Sequence, residues 1–185
     1  MKAHNHRWIG VALCGVGVAA ALAADGAINA GQSSIVATFM QQHAPVDAAF
    51  KKFSGSIVYD PAKPAATTAS LSVDMNSLDV GDDDTDAEVR KPAWFDSAHF
   101  PQATFHATTV TPGAGGHFAA SGPLTIKGKT QTATVTVTVQ RSGGGDAFDG
   151  SFELSRKAFG IGDPSWDGVL DDAVHVHFHL IVVGR

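Results

Sequence analysis

The chain has 185 residues, with 13 Lys and Arg against 18 Asp and Glu, nine His and one Cys, for a net charge of −5 at pH 7. Without a Lys/Arg cluster it lacks the phosphate-neutralising charge that nucleic-acid binding needs, and an anionic membrane surface would repel it. One Cys excludes an intrachain disulfide, so the fold must rest on its own core.

The chain opens with MKAHNHRWIGVALCGVGVAAALAADG. A basic start (Lys2, Arg7), an apolar run from Trp8 and the small-residue step Ala21-Leu22-Ala23 form the pattern of a secretory signal over residues 1–23. The run is shorter than the roughly 20 residues of a membrane span. The expected location is therefore periplasmic or secreted, with one folded domain over residues 24–185. Gly15 to Ala20 mimics a dinucleotide fingerprint but has no strand before it. Cys14 follows Leu13, too large a residue for a lipoprotein cleavage site. Losing this segment removes the Cys, Lys2 and Arg7, leaving 11 basic residues against 18 acidic ones.

Beyond residue 24 the chain alternates apolar and polar residues, the period-2 pattern of antiparallel strands with one dry and one wet face. SSIVATFMQQ places Ile35, Ala37 and Phe39 together, and SGSIVYD places Ile57 and Tyr59. ASLSVDM sets Leu71 and Val73 against Ser70 and Ser72; QATFHATTV offers Ala103 and Phe105. HFAASGPLTIKG aligns Phe118, Ala120, Leu124 and Ile126, and QTATVTVTVQ aligns Val135 and Val137 opposite threonines. DAFDGSFELS puts Phe148, Phe152 and Leu154 on one face, with Arg156 following in the same parity. The eighth strand, AVHVHFHLIVV, alternates Val174, Val176, Phe178 and Leu180 with His175, His177 and His179. GAGG (113–116), KGK (127–129) and SGGG (142–145) are the expected hairpin turns.

Two stretches have helical signals. HAPVDAAFKK, after the first strand, is expected to hold a turn or two of helix. GDDDTDAEVRKPAWF is expected to hold the other, with Thr85 and Glu88 at capping-box spacing, acids in the first turn and Pro92 as the stop. Its acidic run lacks the glycine and the final Glu of a calcium loop, which favours capping over metal binding.

Eight strands and one or two short helices predict an all-β, eight-stranded antiparallel barrel, the closure that removes sticky edges. Such a barrel is filled by side chains or holds one small ligand. Ala69, Ala120, Ala133 and Gly150 among large inward residues suit either a tunnel or a packed core.

The stretch SLDVGDDDTDAEVRKPAWFDSAHFPQATF resembles the YceI-like family, with Ser77, Asp79, Asp86, Arg90, Trp94, Phe95, Phe100, Pro101 and Phe105 on its pattern. GPLTIKGKT (Gly122, Leu124, Thr125, Gly128, Thr130) and SRKAFGIG (Arg156, Phe159, Gly160, Ile161) match two further elements. Phe39, His43, Phe50, Phe53, Gly55 and Asp60 fall in the family's order before them. The resemblance spans roughly residues 28–183. The chain departs from the family in a shorter connection after His43, in Ala48-Ala49-Phe50 and in Val80.

The resemblance implies a lipocalin-like barrel, without established catalytic apparatus, that carries a long-chain amphiphile (isoprenoid, quinone or fatty-acid-like lipid) in its interior. The expected lumen residues are Phe39, Ile57, Leu71, Val73, Phe105, Leu124, Ile126, Val135, Val137, Phe152, Leu154, Arg156 and Phe178. No cofactor is expected beyond a bound lipid. The partners expected are an apolar small molecule and a transient membrane or membrane-protein donor or acceptor. Arg156, charged on an inward parity, must be paired or lie at a wet mouth, either as a structural ion pair or as a donor to a head group.

An alternative reading is an exported metal-handling or stress-related protein using His175, His177 and His179. Residues two apart on a strand lie roughly 6.5–7 Å apart on one face, so adjacent imidazoles can share a metal, whereas the outer pair is too far apart. The same parity places all three in solvent. No catalytic motif of the Gly-x-Ser-x-Gly, His-Glu-x-x-His or phosphate-loop type occurs, and Asp163 and Asp167 are explained by a turn around Pro164. An enzyme is not expected.

Overall fold

The computed structural model describes residues 26–142 and 145–183. The leader expected over residues 1–23 lies outside the described residues, as do residues 143 and 144 of the last hairpin turn.

The strands are β1 (Ser34–Gln41), β2 (Ala44–Phe50), β3 (Phe53–Val58), β4 (Thr68–Asp74), β5 (Leu78–Asp79), β6 (Gln102–His106), β7 (Thr109–Pro112), β8 (His117–Ile126), β9 (Lys129–Ser142), β10 (Gly145–Ser155) and β11 (Leu170–Val183). The helix α1 covers Asp83–Val89. All strands belong to one sheet in the order β3-β4-β6-β8-β9-β10-β11-β1-β2-β5, with β7 also on β8, and every named pairing is antiparallel. Eleven segments are more than the eight expected, for a physical reason. β2 bends into β3 through Lys51-Lys52, and β6 into β7 through Ala107-Thr108, while β5 is a two-residue extension pairing only with Ala49 and Phe50. Counted as continuous strands, these leave the eight of the all-β barrel.

The order closes on itself because β2, near one end, continues into β3 at the other, and the segment before β1 adds a second bridge. Ile28 donates to the Gly55 carbonyl at 3.0 Å and Asn29 to the Ile181 carbonyl at 2.7 Å, joining β3 to β11. The bend between β6 and β7 shifts the register on β8 by one residue, a bulge that brings the His106 carbonyl against Gly122. A Cβ on Gly122 would lie 1.8 Å from that oxygen, so only glycine passes there. The two-residue turn Lys127-Gly128 has φ of 49° and 71°, the conformation that matches strand twist in a tight hairpin.

The pattern of β8 is strict: Phe118, Ala120, Gly122, Leu124 and Ile126 are buried and the residues between them are not. The core runs the length of the barrel as two connected clusters, one around Ile35, Phe118, Phe148 and Leu180, the other around Met75, Trp94, Leu124 and Phe159. Tyr59 closes the first end, its ring 5.8 Å from those of Phe118 and Phe148.

Two expectations are corrected. The stretch expected to be helical after His43 is the strand β2, Ala44 pairing with Gln41 and Ala49 with Val36. Inter-strand bonds to β1 outweigh the weak helical preference of an alanine-rich segment. The cap of α1 is Asp82 rather than Thr85: its carboxylate accepts from the Thr85 backbone N–H at 2.9 Å and from the Thr85 hydroxyl. Asp82 wins because the helix starts at Asp83, placing Thr85 at the third helical position, where its N–H needs an acceptor.

Candidate functional site

The barrel encloses a cavity of about 510 Å3. The size lies within the range of roughly 300–1,000 Å3 typical of small-molecule sites. All thirteen residues expected in the lumen line it. Phe39 and Phe178 come from the adjacent β1 and β11; Ile57, Leu71, Val73 and Phe105 come from β3, β4 and β6; Leu124 and Ile126 come from β8. Val135 and Val137 of β9 and Phe152 and Leu154 of β10 complete the wall. Period-2 alternation carries these side chains to one face of a curled sheet, so their convergence follows from closure of the barrel.

Arg156, just past β10, also borders the cavity and is only 4% exposed. Its Nε donates to the Asp171 carbonyl at 3.0 Å and Nη1 to the Ile161 carbonyl at 3.0 Å. Nη2 donates to the Leu170 carbonyl at 3.1 Å and to Asp167 Oδ1 at 3.2 Å. Four of its five N–H donors are thus spent on the loop between β10 and β11 and on the first two residues of β11. That loop approaches closely enough to need Gly162, where a Cβ would lie 2.6 Å from Nη1. Asp167 is also paired with Lys157 at 2.8 Å. The Lys157 contact, then Arg156, hold the Asp167 carboxyl below its ordinary value against a smaller opposing effect of burial.

Residues absent from the expected list form the entrance. Among the described residues, only Asp84, Thr85 and Asp171 both line the cavity and are exposed, so the opening lies between α1 and the start of β11. Half-buried Glu88, Gln41, Phe95 and Trp166 stand beside them. Trp166 packs edge-on against Trp94 at 5.6 Å between ring centroids, joining the β10–β11 loop to the segment after α1. Asp84, Thr85, Glu88 and Val89 recur at helical spacing on one face of α1, but spacing alone does not say that this face borders an opening. The polar residues of the α1 region carry structure. The buried Asp86 carboxylate accepts from Val80 N at 2.9 Å, Ser97 donates to Asn76 at 2.7 Å, and Lys127 donates to the Pro92 and Gly160 carbonyls at 2.8 Å.

The three histidines stand on the outer face of β11, away from the cavity. His179 Nδ1 lies 2.6 Å from Asp149 Oδ1 and His175 Nδ1 3.4 Å from Glu153 Oε2, both acids on β10, while His177 faces Ser151 and Val36 across the ladders. Among the described residues no cluster of three or more His, Cys, Asp or Glu is placed to hold a metal ion. The Asp163–Asp167 turn likewise carries structure: Asp163 caps Ser165 N at 2.8 Å, as a turn around Pro164 requires.

Known proteins share this architecture. A BcnA structure from Burkholderia cenocepacia superposes with a TM-score of 0.81 at 38% identity, covering 83% of this chain and 98% of that one. A polyisoprenoid binding domain from Saccharophagus degradans, implicated in plant cell wall breakdown, superposes with a TM-score of 0.69 at 19% identity, over 86% of this chain and 98% of that one. A UPF0312 protein of Vibrio cholerae is 32% identical over 133 residues, 69% of this chain and 70% of its own length. One from Shewanella baltica is 32% identical over 151 residues, 77% of this chain and 79% of its own. The model of the YceI-like domain matches residues 27–182, the whole barrel from the segment that ties β3 to β11 to the end of the histidine strand, and the chain belongs to that family.

Proposed function

We propose that this protein is an exported carrier for a long-chain amphiphile, an isoprenoid, quinone or fatty-acid-like lipid, whose hydrocarbon lies in the barrel. The observation that carries the reading is an unfilled, apolar-walled cavity of about 510 Å3 with its carboxylates gathered at one opening. Each ligand methylene moved from water to such a wall is worth about 0.8 kcal/mol, so a chain binds without charged contacts. The polyisoprenoid binding domain of Saccharophagus degradans, which shares this fold, is named for a ligand of this class. Residues 1–23 support export, and a water-insoluble cargo implies a membrane or membrane protein as donor and acceptor. The role is that of carrier rather than catalyst, because the interior offers hydrocarbon walls and its one guanidinium is held by the loop beside it.

The test is native mass spectrometry of protein purified from its own host, followed by extraction and identification of what it releases. The expected result is a mature chain starting near Ala24 with an adduct that is an amphiphile of long hydrocarbon chain. A ligand-free protein that also takes up no amphiphile when offered one refutes the carrier reading.

A further inference from the structure

The cavity's entrance carries a charge that its interior does not, and this bears on which amphiphile enters. Three carboxylates line the cavity at its mouth, Asp84, Glu88 and Asp171. Glu88 is neutralised by an ion pair with Lys91. Asp84 and Asp171 have no ion-pair partner among the described residues, and both are exposed at the mouth. Among the described residues the one cation of the lining is Arg156, whose charge is opposed by Asp167 and whose donors go to three carbonyls and that carboxylate. The Thr85 hydroxyl is committed to Asp82. Gln41, half-buried beside them, presents a neutral amide.

An anionic head group at this mouth would meet two unpaired carboxylates and no free cation, inside a chain that is acidic overall. A hydroxyl, carbonyl or amide head meets no such repulsion and has Gln41 to hydrogen-bond. Resting on the carrier reading, we propose that Asp84 and Asp171 are specificity-determining residues. They exclude negatively charged heads, so that the cargo is a long-chain amphiphile without negative charge, such as an alcohol, quinone or amide, and not a free fatty acid or a phosphate ester.

Dodecanoate, dodecanol and dodecyltrimethylammonium, each competed against the uncharged fluorophore N-phenyl-1-naphthylamine, separate head charge from chain length. A carboxylate binds more weakly than an alcohol for reasons of its own hydration, so the quantity read is how the dodecanol-to-dodecanoate affinity ratio changes on mutation. In Asp84→Asn/Asp171→Asn the ratio should fall by roughly three- to tenfold at low salt, and by less at 0.5 M salt, as screened surface charges dictate. The cation should lose affinity in the same variant. Asp149→Asn/Glu153→Gln makes an equal charge change on the outer face, leaves the barrel as a folding control, and should leave the ratio unchanged. A ratio that does not move in the mouth variant, or moves equally in both variants, overturns the proposal while the carrier reading stands. If none of the three chains displaces the fluorophore, both fall.

Discussion

Arg156→Met separates a structural guanidinium from one kept for a ligand head. The substitution keeps the length and apolar stem but removes four hydrogen bonds, two of them to the buried carbonyls of Ile161 and Leu170. Methionine fills the space, so water cannot replace the lost donors, and a buried carbonyl left unpaired costs about 1–3 kcal/mol. The carbonyl of exposed Asp171 recovers solvent more readily. The Asp167 pair adds little, because its carboxylate is 47% exposed and solvent screens it. The loss should therefore be about 2–6 kcal/mol, two carbonyls at about 1–3 each, against the roughly 5–15 kcal/mol of a typical domain.

Urea unfolding with an unchanged denaturant slope is the assay, and Asp167→Asn is its partner, expected to lose much less than Arg156→Met. The pair also has a pH signature. The Asp167 carboxyl titrates below its ordinary value of 3.8 in the folded protein. A lowered folded value gives stability that is present above 3.8 and lost as pH falls through the folded value, and Asp167→Asn should remove that part of the acid sensitivity. If Arg156→Met costs less than about 1 kcal/mol, or no more than Asp167→Asn, the loop is not what holds the guanidinium and the structural account fails.

Ala37 lies between Ile35 of one core cluster and Phe39 of the other, and Ala37→Phe should close the cavity at mid-depth. Excluding even two ligand methylenes costs about 1.6 kcal/mol, so dodecanol affinity should fall more than tenfold while the urea midpoint holds or rises; unchanged affinity would place the chain elsewhere. The His99 imidazole, hydrogen-bonded to the Asp96 carboxylate at 2.8 Å, titrates above its ordinary value of 6.5. Its contribution to stability is complete below 6.5 and is lost as pH rises through the folded value, a decline that His99→Asn should flatten in urea melts taken across that range. Replacing His175, His177 and His179 together with Thr should leave folding and dodecanol uptake unchanged; calorimetric zinc binding of submicromolar affinity that the triple variant abolishes would revive the metal reading.

What could be read in advance divides along physical lines. Alternation on β8, β9 and β11 is a local property with one outcome, so parity alone brought Leu124, Val135, Val137 and Phe178 to the cavity wall. The strand β2 was hidden because its turn, Gln42-His43, has φ of 49° and 67° without the Asn or Gly that usually marks such a hairpin. Only pairing with β1 makes the segment a strand. The polar entrance was hidden for another reason: an acidic first turn is equally what a solvated helix wants, and nothing local says that one side of α1 faces an opening. Whether the barrel is hollow was the least legible property, because small inward residues do not have one meaning. A Cβ on Gly150 would lie 2.3 Å from the Phe178 ring, so this glycine leaves no void; it makes room for an aromatic side chain. Ala37 and Ala120, equally small and equally inward, border open space instead. The difference is set by which rotamer each neighbouring ring takes across strands far apart in sequence, and that choice exists only once the barrel has closed.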